Sequence, residues 1–167
     1  MKAMIALILA ALPAAASEHE VAAYGHILKD CYATAADAEA RAACMGAMAT
    51  ECMDDQDGGH TTLGMTYCLN AEATVWDGFL NAEYGATRDW AKAADADEAV
   101  HFPELAARAD KLRAAQRAWI AFRDAECALA YAEWGSGSMR NIAHADCVMQ
   151  MTAERAIALR GKREMFE

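Results

Sequence analysis

Proline, the strongest helix breaker, is nearly absent from this chain, and its absence constrains the fold more than any other feature of the sequence. Only two prolines occur in 167 residues, and one of them lies among the first 16. Alanine is abundant throughout, whereas β-branched residues are sparse. Because alanine has the highest helix propensity and proline the lowest, we predict an all-α fold. The expected architecture is a small helical bundle of about five helices with no sheet.

Turn residues divide the chain into the five predicted helices. Asp37 is a candidate N-cap of the second helix, Thr61 or Thr62 caps the third, and Pro103 suits the first turn of the fourth. The stretches DDQDGGHTT and GSGS are predicted loops because Gly, Asp and Ser favour turns. The predicted helices cover about residues 18–32, 37–53, 62–94, 103–134 and 142–160.

The first 16 residues have the order of a secretory signal peptide. Lys2 precedes the apolar run MIALILAAL, and Ala14 and Ala16 supply small residues before a cleavage point. The run is shorter than the roughly 20 apolar residues of a transmembrane helix. We therefore predict that residues 1–16 are removed and that the mature protein is periplasmic or secreted, without stable membrane insertion.

Six cysteines in an exported chain predict three disulfides and a disulfide-stapled bundle. They are Cys31, Cys44, Cys52, Cys68, Cys127 and Cys147. A structural zinc site is the alternative, but no Cys-x2-Cys pair is present to form one. We expect no metal site and no cofactor.

Acidic side chains exceed basic ones, and the formal net charge is −10. The charge becomes −11 once Lys2 leaves with the signal peptide. Nucleic-acid binding requires a basic patch, so we predict no nucleic-acid partner. An acidic exported protein is steered toward cationic partners instead.

Two glutamates lie on the apolar stripe of the third predicted helix. Glu72 and Glu83 share a face with Cys68, Val75 and Phe79. Eleven helical residues separate the two carboxyl groups by about 16 Å, whereas the carboxyl pairs of glycosidases lie about 5 to 9.5 Å apart. No Ser-His-Asp set and no His-x3-His pattern is indicated either. We therefore predict that the protein is not an enzyme.

The stretch AQRAWIAFRDAEC, residues 115–127, crowds polar and aromatic side chains onto the fourth predicted helix. One stripe of that helix contains Leu105, Leu112, Gln116, Trp119, Arg123, Cys127, Ala130 and Trp134. A core-facing cysteine in an exported bundle is a disulfide half rather than a nucleophile. A buried arginine requires a carboxylate, so we hypothesise that Arg123 pairs with Glu72 or Glu83, with Glu72 favoured.

Ten methionines raise one further possibility, a copper site. Met149 and Met151 lie two residues apart, with Met139 and His144 nearby, and copper sites use Met and His ligands. Other methionines fit helical core spacing, where this side chain fills gaps. Copper binding is therefore a distant third among the functions considered.

Several short motifs follow one another between residues 52 and 160. They are Leu80-Asn81-Tyr84, Gln116-Trp119-Arg123-Cys127, the turn Gly135-Ser136-Gly137-Ser138, Cys147, and Thr152-Arg155-Leu159. Together they resemble the LprI-type domain, a family of exported, helical, disulfide-bonded proteins. We assign a structural role to nine residues: Glu72, Trp76, Leu80, Asn81, Tyr84, Gln116, Trp119, Arg123 and Arg155.

The resemblance implies a disulfide scheme and a domain organisation. In the family pattern one cysteine pair brackets the start of the long helix, which matches Cys52–Cys68. A second brackets the glycine-serine turn, which matches Cys127–Cys147. With these two pairs taken from the resemblance, Cys31–Cys44 is the third. The expected organisation is an N-terminal helical hairpin, residues 17–56, packed as one unit with an LprI-like domain, residues 57–162.

The resemblance also implies a function, because the activity that named the family is inhibition of lysozyme. We predict an exported, non-catalytic binding protein that inhibits a cationic cell-wall hydrolase such as lysozyme. The alternative is a structural or adaptor protein of the cell envelope without an enzyme target. The candidate binding loops are those that disulfides anchor, with residues Asp54, Asp55, Asp57, His60, Gly135, Ser136, Gly137 and Ser138.

Overall fold

The computed structural model describes residues 13–166, and in that range it contains helices and turns but no strand. The α-helices are α1 (Pro13–Thr34), α2 (Ala38–Ala42), α3 (Ala47–Asp55), α4 (Thr62–Glu98), α5 (Arg108–Glu133) and α6 (Met139–Glu164), with a 3-10 turn at Pro103–Leu105. The predicted all-α, disulfide-stapled bundle is confirmed. No helix among the described residues is long and apolar enough to cross a membrane. Residues 1–12 of the predicted signal peptide lie outside the described range.

Helix α4 is the central element, and it packs against α1, α3, α5 and α6. Its Trp76 is fully buried and meets the edges of Tyr32 on α1 and of Phe79 one turn away. Leu28 of α1 and Leu159 of α6 are also fully buried. Because the apolar face of α4 is covered on several sides, this 37-residue helix organises the whole bundle.

The predicted second helix is divided in two by a turn at Gly46. Asp37 caps α2 as predicted, since its Oδ1 accepts from the backbone N–H of Ala40 at 2.8 Å. Gly46 has a φ of 83°, a left-handed conformation that suits glycine, and it is the N-cap of α3. A glycine has no side chain to cap a helix, so the first N–H groups of α3 need another acceptor.

Glu72 of α4 supplies that acceptor from across the bundle. Its Oε1 accepts from Gly46 N at 2.7 Å and from Trp76 Nε1 at 2.9 Å, and its Oε2 accepts from Ala49 N at 2.8 Å. The side chain is fully buried. A carboxylate at a helix N-terminus also interacts favourably with the helix dipole. Glu72 therefore acts as the N-cap side chain that α3 lacks.

The hypothesis that Arg123 pairs with Glu72 or Glu83 is wrong. Both oxygens of Glu72 accept from the donors just described, and Glu83 accepts from Arg163 Nη1 at 2.9 Å. Arg123 donates to Asp124 on its own helix at 2.8 Å. Arg123 does not reach these carboxylates because other donors occupy them: backbone N–H groups of α3 bind Glu72, and Arg163 near the end of α6 binds Glu83.

Asp95 near the end of α4 performs a second capping role. Its Oδ1 accepts from Arg108 N at 2.8 Å and its Oδ2 from Ala109 N at 2.9 Å, which satisfies the first N–H groups of α5. These interactions lower the pKa of Asp95, the bond from Ala109 being the largest contribution. The fourth predicted helix was expected to start at Pro103. In the structure Pro103 begins a separate 3-10 turn, and α5 starts at Arg108.

The end of the bundle where α2 and α6 meet is held by ion pairs. Arg41 is 2 % exposed, and its Nη1 and Nη2 donate to Glu164 Oε2 and Oε1 at 3.0 and 2.9 Å. Arg160 Nε donates to the same carboxylate at 2.8 Å. Glu83 interacts here with Arg163 and accepts from Tyr32 at 3.3 Å. We call this the ion-pair end.

Three disulfides join the helices: Cys31–Cys44, Cys52–Cys68 and Cys127–Cys147. They are the pairs that the resemblance implies, and no cysteine in the described range is free. Disulfides persist in oxidising compartments, so this chain is suited to an environment outside the cytoplasm.

Replacing Glu72 by glutamine should destabilise the fold although the two side chains have the same shape. All three partners of Glu72 are N–H donors, and an amide group must turn its own N–H₂ toward at least one of them. We expect Glu72→Gln to lower the free energy of unfolding by about 2 to 3 kcal/mol, measured by urea denaturation. Glu51→Gln, an exposed glutamate on α3, is the matched control. Equal stability of the two variants would contradict the capping role.

Replacing Glu164 by glutamine should make stability less dependent on acid. The hydrogen bonds from Arg41, followed by those from Arg160, lower the pKa of Glu164 below its ordinary value of 4.5. Such a carboxyl stabilises the fold above its unfolded pKa and loses that contribution as the pH falls through its folded pKa. Glu164→Gln should therefore cost about 1 kcal/mol at neutral pH.

The difference between wild type and Glu164→Gln should shrink below pH 4.5 and vanish at lower pH, as measured by urea unfolding across an acid series. Glu154→Gln, an exposed position on the same helix, should change nothing at any pH. A wild-type advantage that persists unchanged in acid would show that the Arg41–Glu164 pair does not carry it.

Candidate functional site

Both predicted binding loops lie at the same end of the bundle. Helix α5 ends and α6 begins beside the first turns of α4, because Tyr131 and His144 line one groove with Thr66. The loop between α3 and α4 leads directly into those same turns. We call the end that carries residues 54–61 and 134–138 the loop end.

The α3–α4 loop is tied down at both its margins. The Cys52–Cys68 disulfide links the helix before the loop to the helix after it. Thr61 caps α4, since its Oγ1 accepts from Gly64 N at 3.1 Å and donates to Gly58 O at 2.7 Å. Thr61 was one of the two predicted N-caps of this helix.

Glycines allow the same loop to pack closely against the ends of its flanking helices. Gly59 is buried, and a Cβ at this position would overlap the backbone carbonyl of Met53. A Cβ at Gly64 would overlap the carbonyl oxygens of Gly58 and Gly59. Gly58 itself has a φ of 79°. The loop therefore has a compact backbone that other residue types cannot adopt without movement.

Exposed carboxylates dominate the surface of this loop and of the adjoining helix. The segment from residue 42 to residue 87 contains no lysine or arginine. Its exposed acidic residues at this end are Glu51, Asp54, Asp55 and Asp57. A negative potential without a neighbouring cation in the same segment favours a positively charged partner.

Two of these aspartates have fixed side chains. Asp54 Oδ1 lies 2.8 Å from His60 Nε2, and Asp55 Oδ2 accepts from Tyr24 OH at 2.7 Å. The bond to Asp55 is the largest cause of a raised pKa of Tyr24. Glu20 of α1 lies buried close by and accepts from Gln56 Nε2 at 3.4 Å. The carboxylates of Asp54 and Asp55 are thus positioned before any partner arrives.

The α5–α6 turn lies at the same end of the bundle as the acidic loop. Gly135 has a φ of 53°, and Arg140 Nη1 donates to its carbonyl at 3.3 Å. The Cys127–Cys147 disulfide joins α5 and α6 below the turn. The remaining residues of the turn, Ser136, Gly137 and Ser138, are exposed.

A groove of about 500 Å³ opens between α4, α5 and α6 at the loop end. Its lining combines Ala128 with side chains that carry polar groups, namely Thr66, Asn70, Tyr131, Asn141 and His144. The exposed apolar side chains Leu63, Trp134 and Met139 lie on the neighbouring turns. The sequence does not reveal this groove, because its residues come from three distant segments and form no motif.

The profile of the family described as lysozyme inhibitor LprI matches residues 52–159 of this chain. The chain belongs to the LprI family. An uncharacterized protein of Rhizobium meliloti (strain 1021) is 29 % identical over 105 residues, which cover 63 % of this chain and 76 % of that protein. No solved structure gives a significant match.

The LprI motif residues on α5 and α6 contact one another inside the bundle. Gln116 Oε1 accepts from Arg155 Nε at 2.9 Å. The guanidinium carbons of Arg123 and Arg155 lie 5.3 and 5.7 Å from the centre of the Trp119 ring. Burial lowers the pKa of Arg155. Cation–π contacts of this kind contribute roughly 0.5 to 2 kcal/mol each, so the cluster fastens α5 to α6.

The remaining motif residues differ in how deeply they are buried. Leu80 is buried and Tyr84 packs at the edge of the core. Asn81 is exposed and donates to Asp77 at 2.9 Å. Leu105 and Trp134, placed on the predicted core stripe, are 60 % and 49 % exposed. They lie beyond the two ends of α5, where the helices no longer cover one another.

Two of the four residues considered for copper, Met149 and Met151, are used in packing. Met149 belongs to the hydrophobic core, and Met151 Sδ lies 3.8 Å from both sulfurs of the Cys127–Cys147 disulfide. Among the described residues no group of three or more His, Cys, Asp or Glu side chains is arranged to hold a metal ion.

Replacing Gly59 by alanine should disrupt the acidic loop. The added Cβ would overlap the Met53 carbonyl, and overpacking of this kind costs about 1 to 3 kcal/mol. Gly78→Ala, on the exposed side of α4 with open space around it, should instead raise stability by about 0.5 to 1 kcal/mol. Urea denaturation measures both changes. If Gly59→Ala were as stable as wild type, the loop would not be packed as described.

Proposed function

We propose that this LprI-family protein is an exported, non-catalytic binding protein that inhibits a cationic cell-wall hydrolase of the lysozyme class. The loop end is its docking surface. The observation that carries the proposal is the fixed acidic loop, in which Glu51, Asp54, Asp55 and Asp57 are exposed on a backbone tied by Cys52–Cys68. A preorganised surface of opposite charge speeds encounter and avoids an ordering cost on binding.

The neighbouring groove supplies the second element that a tight interface requires. Binding energy concentrates in a few aromatic and apolar contacts near the interface centre. Tyr131, Trp134 and Met139 are exposed beside the groove, next to the acidic loop. We therefore propose that the carboxylates attract the cationic hydrolase and that these side chains, together with the groove, supply most of the binding energy.

The buried carboxylates support a non-catalytic role. Glu72 caps α3 and Glu83 interacts with Arg163, so both are engaged inside the fold. The single histidine of the groove, His144, meets the edge of the Tyr131 ring. An inhibitor of this kind blocks the cleft of its target by occupying it.

The proposal places the mature protein in the periplasm or outside the cell, where wall-degrading enzymes act. The order of residues 1–16 and the three disulfides support this location. The contacts between α1 and α4 support the view that residues 17–56 and 57–162 act as one unit.

Neutralising the acidic loop should weaken inhibition. Lysozyme turnover of cell walls is measured with increasing wild-type protein and with the triple variant Asp54→Asn, Asp55→Asn, Asp57→Asn. Because asparagine still accepts the bonds from His60 and Tyr24, the loop should keep its shape. We expect association to slow about tenfold at low salt and the difference to shrink as salt rises.

A matched triple variant, Asp89→Asn, Asp97→Asn, Glu104→Gln, removes the same charge from exposed positions toward the opposite end of α4 and beyond it. It should inhibit nearly as well as wild type. Equal losses in both triple variants would assign the effect to net charge. Absence of inhibition by micromolar wild-type protein would overturn the proposed function and favour an envelope adaptor.

A further inference from the structure

The outer face of α5 is an apolar surface on an otherwise charged protein. The helix packs against α4 and α6 on its inner side. On the outer side Phe122 and Leu129 are 56 % and 54 % exposed. The other small residues on this side are exposed alanines, namely Ala114, Ala118, Ala121, Ala125 and Ala132. A contiguous exposed apolar face of this kind is typical of a contact surface.

The charges along α5 have the opposite order to the one that its dipole favours. Residues 108–120 contain four basic side chains and one acidic, whereas residues 121–133 contain three acidic and one basic. A helix dipole favours acids near the N-terminus and bases near the C-terminus. The observed order therefore does not serve the stability of the isolated helix. Arg108 pairs with Asp95 and Glu98 of α4, and Arg113 pairs with Asp110, which leaves the other charges of α5 to be explained.

We propose that two copies of this chain associate through the outer faces of α5, with the two helices antiparallel. This arrangement sets the basic half of each helix against the acidic half of the other. Exposed alanines allow close approach of two helices, and Phe122 lies near the middle of the face, where the two-fold axis passes. The association is isologous, as in most homodimers.

One register satisfies both the apolar and the charged residues. When Ala118 faces Ala125 of the second copy, helical spacing brings Arg117 toward Asp124 and Lys111 toward Glu133. Within the described residues, Lys111, Arg117 and Glu133 form no ion pair of their own. Self-association gives each of these charges a partner of opposite sign.

The charge pattern favours a second copy over a cationic hydrolase at this face. A uniformly positive partner would be repelled by the basic half of α5, whereas the exposed carboxylates Glu51, Asp54, Asp55 and Asp57 of the loop end would attract it. The proposed dimer therefore uses a different surface from the proposed inhibitory site and does not depend on it.

Sedimentation velocity of the purified protein, from low micromolar to submillimolar concentration, tests the proposal. Wild type should pass from monomer to dimer as concentration rises. Phe122→Glu with Leu129→Glu should raise the dimer dissociation constant at least about tenfold. The control is Phe102→Glu with Leu105→Glu, which changes two equally exposed apolar residues outside the face and should dimerise like wild type.

Charge reversal identifies the antiparallel register. Lys111→Glu alone and Glu133→Lys alone should each weaken the dimer, and the protein that carries both changes should recover it. A wild type that stays monomeric at every concentration would overturn the proposal. A dimer insensitive to Phe122→Glu with Leu129→Glu would also overturn it.

Discussion

The hydrogen bonds that the buried Glu72 carboxylate accepts determine how this bundle is assembled. Glu72 accepts from Gly46 N, Ala49 N and Trp76 Nε1, so a side chain of α4 caps α3 and fixes the largest buried aromatic at the same time. Because the position of α3 sets where its last turn ends, the acidic loop that follows depends on this interaction. An N–H group left unsatisfied in the interior would cost as much as several surface contacts contribute.

The same physical solution recurs at the other end of α4. Asp95 caps α5 from outside, as Glu72 caps α3. Neither helix carries a capping side chain at its own N-cap, which is Gly46 for α3 and Ala107 for α5. The central helix therefore does more than provide an apolar face, since its carboxylates set the start of two neighbouring helices.

The two ends of the bundle differ in their balance of acidic and basic side chains. At the ion-pair end, Arg41, Arg160 and Arg163 neutralise Glu83 and Glu164. At the loop end, the exposed carboxylates of residues 51–57 belong to a segment without lysine or arginine. Ion pairs are therefore concentrated at the first end and exposed carboxylates at the second, where the Cys52–Cys68 disulfide ties the acidic loop.

Local sequence predicted much of the architecture but only part of the site. The all-α fold and the caps at Asp37 and Thr61 follow from propensities and turn residues that act within a few positions. The middle of the predicted core stripe of α5 also faces the bundle, since Gln116 and Cys127 are buried and Trp119 lies against Arg155. The Arg123 hypothesis failed because the sequence does not reveal which carboxylates the helix N-termini use.

The sequence by itself therefore determined the helical class, the acidic character and the family motifs, because periodicity, composition and spacing are properties of nearby residues. Only the tertiary structure decided that Glu72 and Asp95 are caps and that both disulfide-anchored loops share one end. It also decided that a groove opens between α4, α5 and α6 and that α5 leaves an apolar face uncovered. These features arise where segments distant in the chain compete for the same donors, acceptors and surface.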